Sequence, residues 1–475
     1  MSGATAVDEL FDSTVDRPLL GLVYGRRRIG KSTMLVRQAR ARDGFYYEAA
    51  RVETTVQLER LGRALGEHLG VGRVALADWD EAIAALLALG QRRATPVVLD
   101  EVGHLLEADR SFDSIVASAL GPGGRPQPTS RARVVLCGSA ISLMRSLTAG
   151  QAPLRGRASM ELVMQPDDFR AAASRLPRPD DHALAVQVFA VIGGVVGYAT
   201  DMVGFDLPDG LGDLDRWIIH RVLSPAATLH HEATTLLAED PVLAASSSLL
   251  HHSILAAIAN GSVTAGSIAR RVGKPVSNLA PALHRLVDAG FVDRQEDPLR
   301  DRRPLYSLAD PFLQFHYAVL EPHRAQLRDR DLDQLWTRTL RATFDAQVRG
   351  PVFEAQARAW MRRFADPTRS ATGAHVGPSQ VTVEGVEHQL DLAVADSDPV
   401  PAARRVLAIG EAKAGEVVGR RHLTRLERSR AALGPRAADA SLLLFGSSMA
   451  PDLTDLAAGR PDVELVDLRR LYEGS

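Results

Sequence analysis

The segment Gly25-Arg26-Arg27-Arg28-Ile29-Gly30-Lys31-Ser32 directly follows the apolar run Leu19–Tyr24 and constrains this chain more than any other stretch. Phosphate groups need several N–H donors converging on one point, and a glycine-punctuated loop running into a helix N-terminus supplies them. Gly25 and Gly30 permit the loop, Leu19–Tyr24 supplies the strand before it, and the helix from Lys31 brings the positive end of its dipole. Lys31 is expected on the terminal phosphates and Ser32 on Mg²⁺, with Thr33 beside them in the first turn. An arginine-rich surface turn is the bland alternative. It leaves unexplained Pro96-Val97-Val98-Leu99-Asp100-Glu101, an apolar strand that delivers two acids at its end. Asp100 is expected to hold Mg²⁺ through water, and Glu101 to orient and deprotonate an attacking water.

Lysine usage sharpens this reading. Of 56 lysines and arginines, the lysines are Lys31, Lys274 and Lys413. A codon bias toward arginine accounts for the excess but not for where lysine remains. An ammonium is a compact point charge and a guanidinium a broad planar fork, so a site that needs the former resists exchange. The 56 basic and 58 acidic residues nearly cancel, so contact with a polyanion must come from a local patch.

Cys137 lies inside the apolar run 134–137 and has no second cysteine to pair with, so it reads as a small core residue in a reducing compartment. Residues 1–16 lack a basic-then-apolar arrangement, so no secretory or transit signal is expected and the cytoplasm is the expected location. Residues 183–200 run 18 positions without a charge, the length of a membrane helix. Gly193, Gly194 and Gly197 interrupt them, Asp181 and Asp201 flank them, and no lysine or arginine anchors either end, so a core helix ending in a glycine turn is expected and no membrane partner.

Apolar runs at 19–24, 45–49, 97–100, 133–138 and 160–164 alternate with helical patterns, which implies a mainly parallel, helix-covered sheet. Residues 167–249 read as a helical lid. Residues 250–320 show three helical segments and then two short strands around a charged hairpin, a winged helix-turn-helix layout. Between Arg270 and Arg303 stand eight basic residues, Lys274 among them, against five acids, which makes DNA contact an expectation. Residues 321–475 begin with a helical lead-in and then alternate helix and strand, with strands expected at 389–394, 405–409, 441–445 and 463–466. The fold class is therefore α/β, with four domains at 1–166, 167–249, 250–320 and 321–475.

In the last domain, Glu411 and Lys413 follow the apolar strand Val406-Leu407-Ala408-Ile409, and Asp391 lies 20 residues upstream on another strand. Glu354 sits near the start of a helix opened by Gly350-Pro351. Metal-dependent phosphodiester cleavage needs hard oxygen ligands and a cation beside the attacking water. Asp391 and Glu411 can be the ligands, Lys413 the cation, and Glu354 a holder of a second ion or of the water. The alternative is a strand-edge ion pair. In the first domain, Ser139 after the fourth strand reads either as a γ-phosphate sensor or as a turn serine. Arg155 and Arg157 read either as a solvated pair or, for Arg157, as a stabiliser of phosphate charge.

The segments Tyr24 to Ser32, Leu99-Asp100-Glu101, Leu136-Cys137-Gly138-Ser139 and Pro153-Leu154-Arg155-Gly156-Arg157 together resemble the archaeal-type ATPase family, in the STAND branch of AAA-like P-loop ATPases. The resemblance extends over nearly the whole chain. It implies ATP and Mg²⁺ as cofactors, a helical lid, a winged helix and a C-terminal domain similar to PD-(D/E)XK nucleases, whose core residues correspond to Asp391, Glu411 and Lys413. Two departures stand out: Asp8-Glu9-Leu10 replaces a longer N-terminal family segment, and Gly193-Gly194-Val195-Val196-Gly197-Tyr198 lacks the proline of the family's lid motif. The leading expectation is an ATP-hydrolysing switch that couples nucleotide state to a DNA-directed, nuclease-like module, with a nucleotide-dependent homo-oligomer among the expected assemblies. The rivals are a non-nucleolytic regulator and a protein-interaction scaffold that holds ATP unhydrolysed.

Overall fold

The computed structural model describes residues 3–121, 130–244, 248–329, 331–366 and 374–474. The chain divides into two compact units, Met1–Pro166 with Leu236–Ser246, and Asp167–Thr235 with Ser247–Ser475.

The first unit is a parallel sheet of β1 (Leu19–Tyr24), β2 (Phe45–Glu48), β3 (Thr95–Asp100), β4 (Ala132–Gly138) and β5 (Ala158–Val163) in the order β2-β3-β4-β1-β5. β1, β3 and β4 are buried along their whole length, which is why they read as unbroken apolar runs rather than as alternation. Leu58, Leu61, Leu65 and Trp79 cover one face, while Val7, Leu10, Leu35 and Ala39 pack with Cys137 on the other. Arg133 is buried and donates to the carbonyls of Ser13, Val15 and Arg17, tying the N-terminal segment to β4. Asp8 and Asp12 both pair with Arg42, so the N-terminal helix Gly3–Phe11 is pinned beside the helix Lys31–Arg40. The strand order and the all-parallel pairing fit a P-loop NTPase fold.

In the second unit the helix His182–Ile192 stops at Gly193, which has φ of +60°. The uncharged stretch 183–200 is thus broken into short pieces, and among the described residues no helix is long and apolar enough to cross a membrane. Gly194 follows because nothing larger fits: a Cβ there would lie 1.7 Å from the Asp167 carbonyl oxygen.

The helices Ser248–Ala259, Ala265–Val272 and Val276–Asp288 precede the antiparallel pair β6 (Val292–Gln295) and β7 (Leu305–Leu308). Thr264 and Ser267 form a reciprocal cap at the middle helix, Gly273 ends it at φ +72°, and Ile268, Leu279, Leu283 and Leu286 are buried. The last sheet is mixed, in the order β12-β11-β10-β9-β8. β8 (His375–Val383), β9 (Val386–Ala395) and β10 (Val406–Lys413) pair antiparallel, whereas β10, β11 (Ser441–Gly446) and β12 (Val463–Val466) pair parallel. β8 was not anticipated: Gly377-Pro378-Ser379 breaks its pattern at the point where the register with β9 shifts.

The loop between β6 and β7 packs into this sheet. Leu299 joins the core formed by Val381, Leu390 and Ile409, Ser379 donates to Asp297 at 2.6 Å, and Arg300 and Arg303 both pair with Glu387. Part of the basic excess expected to face DNA is therefore neutralised inside the chain.

Gly194→Ala should lower the melting temperature markedly, at a cost of about 3 kcal/mol, because the obstructing atom is backbone and cannot swing aside. Gly212→Ala, where a Cβ meets nothing within 4 Å in the helix Leu211–Ile218, should be neutral or slightly stabilising. Thermal melts of the two variants compare them, and equal melting would contradict the packing described.

Candidate functional site

Parallel pairing brings the carboxyl ends of β1, β3 and β4 to one edge of the first sheet. After β1 the loop turns on Gly25 at φ +154°, Arg28 at +65° and Gly30 at +89°. A Cβ on Gly25 would sit 2.4 Å from the Met164 carbonyl oxygen, so the close approach requires glycine. Lys31 opens the helix Lys31–Arg40 and is buried, with Nζ donating to the carbonyls of Gly25 and Arg26 at 2.8 Å each. Burial lowers its pKa, while Cys137, Glu101 and Asp100 oppose that shift. Ser32 and Thr33 are exposed in the first turn, and no side chain caps this helix at Gly30.

Asp100 is buried at the end of β3. Its Oδ2 accepts from the Tyr46 hydroxyl at 2.8 Å and its Oδ1 from the Glu101 N–H at 2.8 Å. Tyr46 also shares a hydrogen bond with Ser32, and burial followed by the Asp100 charge raises its phenol well above the usual range. Ser32 on the helix Lys31–Arg40, Tyr46 on β2 and Asp100 on β3 are thereby linked. The sequence showed Tyr46 only as strand filling. Its one available signal was a hydroxyl-bearing aromatic in register with the acid-bearing strand, where Tyr46 pairs with Val98.

Glu101 adopts φ +51°, ψ +45°, a left-handed conformation that costs a non-glycine residue about 1–3 kcal/mol and tends to persist at functional positions. Its carboxylate accepts from the Ser139 hydroxyl at 3.1 and 3.3 Å, so Ser139 faces Glu101. Arg157 is exposed and donates to the Pro153 carbonyl on its own turn. Among the described residues, no hydrogen bond or ion pair joins Arg157 to the loop Gly25 to Ser32. Arg145, not singled out in the sequence, instead shares a hydrogen bond with the Tyr24 hydroxyl, one residue before the loop. Tyr24 also donates to Glu161 at 2.5 Å and has its pKa pushed up to about 12 by burial first and Glu161 second. This donor set fits a magnesium-bound polyphosphate: a buried ammonium, an open helix N-terminus, a first-turn hydroxyl and a carboxylate joined to it.

A second cluster lies in the other unit. Asp391 on β9 accepts from the Ala412 N–H at 3.0 Å, and Lys413 Nζ lies 3.5 Å from Asp391 and 3.2 Å from Glu411. Both carboxylates are nearly buried. Arg425, on the helix Arg420–Leu433, donates from Nε to Glu411 Oε2 at 2.9 Å and was not anticipated. Glu354 joins from the helix Gly350–Arg363, and Arg358 one turn on donates to the Asp391 carbonyl. Burial raises the Glu354 carboxyl to about 7, Asp391 pushes the same way, and Arg358 and Lys413 oppose. The four residues read from the sequence, from three separate elements, thus face one another. Among the described residues no three His, Cys, Asp or Glu side chains group as a metal cage. Asp391 and Glu411 are a pair, the kind of donor set Mg²⁺ accepts because it keeps much of its water.

No protein-family model matches the chain. An uncharacterized protein of Methanocaldococcus jannaschii, MJECL04, is 24% identical over 351 residues, covering 72% of each chain. The Walker-type ATPase of Pyrococcus abyssi superposes with a TM-score of 0.50 and 19% identity over 66% of this chain and 95% of that one. The ORC2 protein of Aeropyrum pernix superposes with a TM-score of 0.42 and 16% identity over 68% of this chain and 93% of that one. The Pyrococcus likeness is one of fold alone.

The Glu354 carboxyl yields a prediction with a definite sign. Because its folded value of about 7 exceeds the ordinary 4.5, the native state keeps a proton that the unfolded chain has released. Stability therefore falls as pH rises through that window and stays lower above it. In EDTA, Glu354→Gln should melt like wild type near pH 4.5 and a few degrees higher at pH 8, a gain of roughly 3 kcal/mol. An offset that does not change with pH would assign the effect to packing instead.

Proposed function

We propose that this chain binds ATP with Mg²⁺ at the loop Gly25 to Ser32 and hydrolyses it. The observation that carries the reading is the meeting of Lys31, enclosed by its own loop, with Asp100 and Glu101 on the same sheet edge. Lys31 would hold the terminal phosphates, and Ser32 and Asp100 would hold Mg²⁺, which supplies charge neutralisation on the phosphates when bound. Glu101 would orient and deprotonate water, with the Ser139 hydroxyl fixing its carboxylate. Asp100, tied to Tyr46, cannot swing away from that position without giving up a buried hydrogen bond.

The finer part of the proposal is a switch in which nucleotide state is coupled to a winged helix at 250–320 and a nuclease-like module at 321–475. It is supported by the three-helix and two-strand arrangement and by the cluster of Glu354, Asp391, Glu411 and Lys413. The cluster would act on a phosphodiester, with Lys413 beside the attacking water. A second reading, a regulator that does not cut, is favoured by the ion pair between Arg425 and Glu411, which engages a carboxylate that cleavage needs for metal.

Lys31→Ala should weaken ATP binding, while Glu101→Gln should keep binding and lose turnover by roughly a hundredfold or more, since one grips phosphate and the other activates water. Normal turnover in the Gln variant would remove Glu101 from the reaction. For the second cluster, Lys413→Arg keeps the charge but puts a broad, always-protonated fork where a compact ammonium stands. Plasmid nicking with Mg²⁺ or Mn²⁺ should fall roughly a hundredfold or more, with ATP turnover unchanged. Equal nicking by wild type, Lys413→Arg and Asp391→Ala would sink the nuclease assignment, and no nicking by wild type would favour the regulator.

A further inference from the structure

We infer that the open cavity beside Arg425 is a binding groove for the phosphodiester backbone of a nucleic acid. The inference rests on the phosphodiester reading of the neighbouring Asp391, Glu411 and Lys413 cluster. The cavity holds about 500 Å³ and lies between the helix Arg420–Leu433 and the β8–β9 hairpin. Arg421, Arg425 and Arg428 stand four and three residues apart on one helical face, while Leu423 and Leu426 occupy the buried face. Val386 and His388, two apart on β9, form the opposite wall. Glu384 in the two-residue turn is the acid among the described residues that line it.

The arginines are not equivalent. Arg421 pairs with Glu416, and Arg425 with Glu411. The side chains of Arg428 and His388 make no hydrogen bond or ion pair with any described residue, so a basic surface is left for a ligand. Arg425 joins the groove to the cluster: its side chain is 47% exposed, yet its Nε is 2.9 Å from a Glu411 carboxylate that is 5% exposed. An anion that takes the outer edge of this guanidinium lies within one side chain of Lys413.

Spacing and chemistry identify the ligand class. From Arg421 to Arg428 the helix rises about 10 Å, the axial length of roughly three phosphates on one strand of a duplex. Guanidinium forks match phosphate oxygens bidentately. An acidic polypeptide would also answer the charge, but it offers no phosphodiester to the adjoining cluster.

The test is fluorescence anisotropy of full-length protein with labelled single- and double-stranded oligonucleotides in EDTA without ATP, between about 50 and 200 mM salt. Arg428→Glu should weaken binding about tenfold or more, and Arg428→Ala should reduce the salt slope by about one. Arg428 is exposed, so both variants should melt like wild type. Arg63→Glu, the same charge change at an exposed position on a helix of the first unit, should bind like wild type. Unchanged affinity in both Arg428 variants would overturn the groove. So would wild type that binds neither oligonucleotide, or that binds only poly-glutamate through Arg428. DNA held through Arg428 but left uncut with Mg²⁺ or Mn²⁺ would uphold the groove and remove the cleavage reading alone.

Discussion

Parallel strand pairing is the constraint from which the first site follows. Each neighbouring pair in the sheet β2-β3-β4-β1-β5 runs the same way, so every carboxyl end opens on one edge. β4 separates β1 from β3, which sets the loop after Tyr24 and the Asp100-Glu101 pair about 10 Å apart across the sheet. Ser139 leaves β4 between them, and its bond to Glu101 bridges the gap from the middle. Had any of these strands been reversed, its acidic or glycine-bearing end would lie on the opposite edge. The sheet therefore does more than support the site, because its topology selects which residues meet.

Both clusters also place a lysine among close oxygen acceptors. Lys31 is enclosed by carbonyls of its own loop, and Lys413 lies between two carboxylates that are nearly buried. Taking charge out of water is costly, and only close, well-directed partners offset that cost. A compact ammonium with three freely aimed donors meets the requirement in a smaller volume than a planar fork. Around Lys413 the balance is delicate, since Arg425 also claims Glu411 and burial leaves the Glu354 carboxyl shifted toward its neutral form. The exposed arginines elsewhere face no such geometric demand, and neither does Lys274, which is exposed.

Much of the fold was legible because local pattern reports burial. Fully buried strands read as apolar runs, and β1 to β5 lie within a few residues of their expected limits. The C-terminal cluster was legible because a strand's alternation puts Glu411 and Lys413 on one face. What failed to show depends on contacts distant in sequence. β8 carries Gly377 and Pro378, so its strand character is supplied by pairing with β9 rather than by its own residues. Tyr46 matters through its hydroxyl, whose direction is set by how β2 lies against β3. Residues 236–246 read as lid, yet they belong to the first unit, where the Asp240 carboxylate accepts from Ser142. Arg145 drew no notice because its hydrogen bond to Tyr24 joins residues far apart in sequence.

The β6–β7 loop gives the charge pattern of residues 270–303 a different meaning from the one composition suggests. Arg300 and Arg303 share Glu387, Arg294 pairs with Glu296, and Asp297 is buried against Ser379 with its carboxyl raised by desolvation. The exposed cations left on the three-helix part are Arg270, Arg271 and Lys274, grouped at the turn around Gly273. Strand alternation then matters on β9: Glu387 points to the arginines of the loop while its neighbours Val386 and His388 point to the cavity. One short stretch of strand thus carries the loop on one side and the groove wall on the other. Because Leu299 is buried in the same core as Leu390, the β6–β7 loop meets the sheet through packed side chains as well as through ion pairs. β9 is therefore the strand that meets the β6–β7 loop through Glu387 and forms the groove wall through Val386 and His388.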